Sequence, residues 1–391
     1  MKKRLFGQIG ERAPSKIAAG LGACLLAAAC GGSSGGGNTG GGTTEDNISE
    51  AQSLVTKAEK PISSWQPAGS KFDATKAKGK TIWYISLSLT IPFEQFVLQG
   101  MQQGAALAGA KTVGFDGKFS PAEGTRGIEE AIQAKADLIF VDGFQPQVVA
   151  PAIAEAKAAG IPILTANTQD PGPPLPGYPA DVIGIATHPF SEPGKIEADF
   201  VIADSKGKAN VLFLSTTDVP VITTAVKDGF VNELNRLCPK CTVTVESVPS
   251  SQWSGLTPKT ASLIAAHPDV NYMVPDFDGM VIFMVPGVTS ANAQKKVKIV
   301  SFNATPSVMK NISDHYVVAG DTGGPNLVQG WAFADEGLRV LAGGQPLNDL
   351  NIPTRLFDTN NISSIDLTKQ ESEWYGVGDY VSKFKAQWGI A

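Results

Sequence analysis

From Thr81 onward, short runs of consecutive apolar residues alternate with stretches in which apolar positions recur every three or four residues. Unalternating runs read as strands covered on both faces. They fall at 81–86, 111–115, 137–142, 161–166 and 182–186, then at 210–215, 243–247, 270–275, 297–302 and 316–320. Between them Phe93, Phe96, Val97 and Met101 share one helical face, as do Ile128, Ala131 and Ile132, and Val149, Ile153 and Ala156. Repeated strand–helix alternation predicts an α/β fold of parallel sheets with right-handed crossovers. The part from about residue 78 to the end is too long for one small core, so two lobes are expected. The break between them is expected at 186–189, where the fifth strand ends and the alternation restarts. After Asn351 the periodicity fades.

The first 44 residues break this pattern. Lys2, Lys3 and Arg4 precede an apolar run from Ile17 to Ala29, then Cys30 and a glycine-rich stretch. A basic start, a short apolar run and small residues mark a secretory signal. The run falls short of the ~20 residues a spanning helix needs. Ala27-Ala28-Ala29-Cys30 resembles the lipobox of bacterial lipoproteins; Leu21-Gly22-Ala23-Cys24 fits too, but would cut the apolar run short. The resemblance implies lipidation at Cys30 and tethering to the outer face of the cytoplasmic membrane, periplasmic or cell-surface. The expected division is a signal at 1–29 and a flexible glycine-rich spacer and lead-in at 30–77. The signal holds Lys2, Lys3, Arg4, Arg12 and Lys16 against Glu11, so the remainder is more acidic than the −5 of the whole chain. With no basic stripe, nucleic acid is excluded as a partner.

Two cysteines remain, in the order Cys238-Pro-Lys-Cys241. Outside the cell this spacing reads as a small disulfide staple. A zinc site would need two more ligands, and His188, His267 and His315 lack ligand spacing to one another. There is no G-x-S-x-G elbow, H-E-x-x-H, phosphate loop or dinucleotide fingerprint. The expectation is a protein without catalysis, metal or cofactor.

In parallel sheets ligands bind beyond the carboxyl ends of the strands. Those ends carry Phe93 and Glu94, Asn167 and Thr168, Asp276 and Asp278, Asn303 and Asp321, with Trp253 in a loop before a helix. Amides and carboxylates pair with hydroxyls, and aromatic faces cover the C–H faces of a ring. These nine residues are the candidate ligand contacts. The same residue types after strands also serve as helix caps.

The order of several short pieces resembles the type I periplasmic sugar-binding proteins of ABC importers, the ribose-binding-like group, over roughly 79–358. The pieces are Ile91-Pro92-Phe93 with Gln99-Gly100, Gly127-Ile128-Glu129-Glu130-Ala131-Ile132, Ala136-Asp137-Leu138-Ile139 and Ala159-Gly160-Ile161-Pro162. Lys227-Asp228-Gly229-Phe230, Ala266-His267-Pro268-Asp269-Val270 and Val300-Ser301-Phe302-Asn303 complete them. The resemblance implies two doubly wound lobes joined by a three-strand hinge, with crossings near Ala186, Asp321 and 351–355. The lobes would comprise 78–186 plus 322–352 and 187–321 plus 353–391. It implies a monomer that closes on a small neutral sugar or polyol and delivers it to a membrane permease. The sequence departs from that group where sugar binders carry charged or amide grips: Ile91, Asn167-Thr168, Thr224 and Asn303 stand there instead. A less polar ligand, such as a deoxy sugar or an oxygenated aromatic, is therefore the alternative, as is a sensor that presents its closed form to a receptor.

Overall fold

The computed structural model describes residues 44–218 and 220–390. The signal, Cys30 and the glycine-rich stretch lie outside the described residues. Five strands form a parallel sheet in the order β2-β1-β3-β4-β5: β1 (Thr81–Ser86), β2 (Lys111–Asp116), β3 (Leu138–Asp142), β4 (Ile163–Ala166) and β5 (Val182–Ala186). Helices α2 (Pro92–Leu107), α3 (Pro121–Gln133) and α4 (Ala150–Ala158) connect them. A second sheet repeats that winding: β6 (Asn210–Ser215), β7 (Thr242–Ser247), β8 (Tyr272–Pro275), β9 (Lys298–Phe302) and β10 (Val318–Gly323), in the order β7-β6-β8-β9-β10. Its helices are α5 (Ser191–Ser205), α6 (Pro220–Leu237), α7 (Leu256–Ala266), α8 (Asp278–Ser290) and α9 (Pro306–Ser313). Every residue of β3 and β4 is buried, as unalternating apolar runs require. By contrast β7, with the polar sequence TVTVES, is a half-exposed edge.

The strand order reverses between β1 and β3 in one lobe and between β6 and β8 in the other. Such switch points open a crevice at the strand ends. The two crevices face each other.

An eleventh strand, β11 (Arg355–Asp358), pairs antiparallel with β10. The sheets are thus parallel except at this edge. Helix α10 (Asn326–Leu341) belongs to the first lobe, where it packs on α2. Gly100 and Gly330 let the two backbones touch: a Cβ on Gly330 would sit 2.8 Å from Gly100 Cα.

Both ends of the described chain depart from the expected division. The lead-in carries helix α1 (Thr44–Ala58), which packs on α5 and α6 and buries Ala51 and Val55 in the second lobe's core. Its first turn holds Glu45 and Asp46 and its last turn Lys57, complementing the helix dipole. Farther on, Trp65 and Phe72 pack into the first lobe. The tail, assigned by sequence to the second lobe, returns to the first after α11 (Glu371–Tyr375). Its helix α12 (Tyr380–Trp388) stacks Trp388 on Trp331 of α10, with centroids 5.6 Å apart and planes 4° from parallel. The Trp388 indole donates to the buried Asp335 carboxylate at 2.5 Å. Where lead-in and tail cross the hinge they bond to each other, Ile62 N donating to Tyr375 O at 2.8 Å. These two segments therefore connect the lobes, α1 packing in the second and Trp65 and Trp388 in the first.

Cys238 and Cys241 close their loop with the sulfurs at bonding distance, 2.09 Å, at the end of α6. Among the described residues no helix is long and apolar enough to cross a membrane.

Candidate functional site

A cavity of about 260 Å³ lies between the lobes at the two switch points. From the first lobe it is lined by Ile91, Phe93 and Glu94 at the start of α2, Phe119 after β2, Asp142 and Phe144 after β3, and Asn167 after β4. From the second come Phe190 before α5, Thr216, Thr217 and Asp218 after β6, Trp253, Phe277 before α8, and Asn303 after β9. Phe119 and Trp253 meet edge to face across the cleft, centroids 5.8 Å apart. Apolar side chains, six of them aromatic, make most of the wall.

Under the first lobe's side lies a buried polar group. Tyr84 of β1 places its hydroxyl 2.5 Å from Glu94 Oε2 and 2.5 Å from Asp142 Oδ2. Ser86 Oγ donates to the same Glu94 oxygen at 3.0 Å. Asn167 Nδ2 donates to both Asp142 oxygens at 3.1 and 3.0 Å, while its own Oδ1 accepts from Gln329 Nε2 of α10 at 2.9 Å. Asn167 reaches this position with φ of 49°, a left-handed conformation that Asn tolerates better than most residues. Burial, and then the Asp142 charge, push the Glu94 carboxyl well above its ordinary range. Burial raises Asp142 to about 6 against the bonds from Tyr84 and Asn167. A phenol has one proton, so the Tyr84 hydroxyl can donate to only one of the two carboxyls that approach it.

Of the nine sequence candidates, Phe93, Glu94, Asn167, Trp253 and Asn303 line the cavity. Thr168, Asp276, Asp278 and Asp321 do not; they are buried behind it and bonded within the protein. Thr168 Oγ1 pairs with Thr165 Oγ1 at 3.3 Å. Asp276 accepts from Thr216 N and thereby shapes the loop after β6. Asp278 accepts from Ser301 Oγ and from the backbone and hydroxyl of Thr305, each at 2.7 Å, tying β9 to the start of α9. Asp321 accepts from Ala304 N at 3.2 Å. Burial raises Asp278 to about 6, and burial followed by the Asp278 charge raises Asp321 well above the usual range. These acids brace the second lobe's strand ends.

The sequence reading passed over the ends of β2, β3 and β5, so it missed Phe119, Asp142, Phe144 and Phe190. The strand-end rule applied there too would have found all four. Among the described residues no cluster of histidine, cysteine and carboxylate side chains is arranged to hold a metal.

Two lobes of this winding, with a cavity between their switch points, place the site where open α/β sheets take a ligand. Residues 82–345 match the family described as the periplasmic binding protein domain, and the chain belongs to that family. Its members are non-enzymatic, solute-binding components of transport, and the fold is that of the type I sugar-binding proteins of ABC transporters. Among solved structures, the chain is similar to a solute-binding protein of an ABC transporter from Mycobacterium smegmatis with bound glycerol. That likeness has 16% identity over 73% of this chain and 96% of the other, with a TM-score of 0.65. It is also similar to one from Agrobacterium vitis with bound allitol, at 16% identity over 73% and 98%, TM-score 0.64. A glucose-galactose binding protein from Geobacillus stearothermophilus matches at 17% identity over 73% and 99%, TM-score 0.64. No curated protein matches the chain.

Proposed function

We propose that this chain is the extracytoplasmic, lipid-anchored solute-binding component of an ABC-type importer. It acts as a monomer that closes its lobes on a small solute and presents the closed form to a membrane permease. Cys30 carries the lipid. The solute has an apolar body and fewer hydroxyls than a hexose. One observation carries this reading: a 260 Å³ cavity at both switch points whose wall is mostly apolar, with six aromatic rings in it. Each hydroxyl of a hexose buried there would need a partner, and an unmade hydrogen bond costs about 1–3 kcal/mol. The sugars and polyols bound by similar folds support the solute-binding role, while the wall argues for a less polar occupant.

The test is a thermal-shift screen of the purified protein against sugars, polyols and oxygenated ring compounds. A ligand at about 100 times its Kd stabilises the folded state by ~2.7 kcal/mol, a readily measured shift. Stabilisation by ring compounds with few hydroxyls, lost on Phe93→Ala with Trp253→Ala, is the expected result. An unchanged affinity in that double variant refutes the site. Labelled fatty acid incorporated into the wild type but not into Cys30→Ala tests the anchor.

A further inference from the structure

The residues lining the cleft have a one-sided charge. Glu94, Asp142 and Asp218 line the cavity, and no lysine, arginine or histidine does so among the described residues. Around them stand the aromatic rings of Phe93, Phe119, Phe144, Phe190, Trp253 and Phe277. Glu94 is 3% exposed, and its bonds to Tyr84 and Ser86 all fall on Oε2, which leaves Oε1 for an occupant. Glu94 and Asp142 thus sit together at the cavity, joined through the Tyr84 hydroxyl. Beyond the wall, Asp116 is bonded to Leu89 N and so adds a further acid on this side.

We infer that the solute this cleft takes is an organic cation, an amine or quaternary ammonium on an apolar body, with its charge above Glu94 and Asp142. The inference rests on the cleft being the solute site and names the solute's chemical class. Aromatic faces attract a cation through their quadrupoles, most strongly where water is excluded. A carboxylate or phosphate ester would meet like charge at Glu94, Asp142 and Asp218 and no lining cation among the described residues. An uncharged ring compound would fill the volume but leave the buried acids without a counterion. A polyol would find too few partners for its hydroxyls. An ammonium ion uses both the aromatic walls and the acidic floor.

The test compares pairs of equal shape and different charge. Titration calorimetry on the purified full chain would use choline against 3,3-dimethylbutan-1-ol, 2-phenylethylamine against 2-phenylethanol, and benzyltrimethylammonium against neopentylbenzene. 3-Phenylpropionate, ribose and myo-inositol complete the panel. The expected result is at least tenfold tighter binding of a cation than of its neutral partner, with no binding of the carboxylate. Glu94→Gln and Asp142→Asn should each shrink that preference while still binding the neutral partner. Because the wild-type pairs carry the decision alone, a variant that fails to fold does not rescue the idea. Equal affinity within every pair overturns the inference. So does tightest binding of ribose or inositol, which leaves the cleft as a solute site. Silence from every compound overturns both the inference and the reading of the cleft beneath it.

Discussion

Replacing Gly330 by alanine sets two opposed effects against each other. Alanine in a helix interior is favoured over glycine by about 1 kcal/mol. At Gly330, however, the new Cβ would overlap the Val97 carbonyl oxygen and lie 2.8 Å from Gly100 Cα and 3.0 Å from Met101 N. All three neighbours are backbone atoms, so no side chain can rotate away. Restoring ordinary carbon contact at 3.5–4.0 Å requires α2 and α10 to part by roughly 1 Å. A gap of that size forfeits about a quarter to a half of each contact's attraction along the interface. Val97, Met101 and Ala105 of α2 and most of α10 are buried around that contact. Overpacking of this kind costs about 1–3 kcal/mol, more when the backbone must move. The clash wins, and Gly330→Ala is expected to lose ~2 kcal/mol net. The comparison is Gly255→Ala, whose Cβ meets nothing within 4 Å and whose φ is −89°. There the smaller entropy of the unfolded chain should leave stability unchanged or raise it by up to about 1 kcal/mol. Urea unfolding at constant m reads both values. A Gly330→Ala midpoint equal to or above wild type would refute the contact argument.

Four further outcomes are expected. Trp388→Ala removes the stack on Trp331 and the bond to Asp335, and should cost about 3–5 kcal/mol in urea unfolding; a loss below 1 kcal/mol would mean that the tail does not dock on the first lobe. Phe119→Ala removes the edge-to-face contact across the cleft, and should lower the unfolding free energy by about 0.5–1.5 kcal/mol and weaken solute binding roughly 2–10-fold. Burial raises Glu371 to about 8, so it stays protonated when folded and ionises when unfolded. Its stabilising contribution is complete below the unfolded value of 4.5 and lost as pH rises to about 8, on the order of 1.4 kcal/mol per unit at most; Glu371→Gln should flatten that decline in unfolding free energy between pH 5 and 8. Replacing Cys238 and Cys241 by serine opens a short loop and should cost about 2 kcal/mol, with wild type matching the variant once a reductant is added.

Much of the fold was legible because its strands are covered on both faces. β1, β5 and β6 have the limits their apolar runs predict, since no polar alternation blurs them. β11 escaped notice because four residues, RLFD, in an antiparallel edge leave no period to read. α1 escaped because its neighbourhood is glycine-rich, although Ala51 and Val55 at i and i+4 already marked a buried face. The site was legible in part for a different reason. Strand ends name the residues near a cleft, but an aspartate there can face the ligand or brace the loop that does. Asp142 ends β3 and Asp276 directly follows β8, yet one lines the cavity and the other holds Thr216 N. Only the hydrogen-bond partners separate the two roles, and those partners come from elements far away in sequence.

The stacked indoles of Trp331 and Trp388 also give the molecule a built-in optical probe. Two chromophores this close and this parallel interact as an exciton pair in the near ultraviolet, with a circular-dichroism signature that neither ring gives alone. Trp253, by contrast, stands in the cleft with its edge toward a phenylalanine, so its emission colour follows what fills the space. Detachment of the tail and arrival of a solute therefore write to different spectral channels. A single unlabelled sample can report both events, which separates a change in the hinge straps from a change in the cleft without introducing a dye.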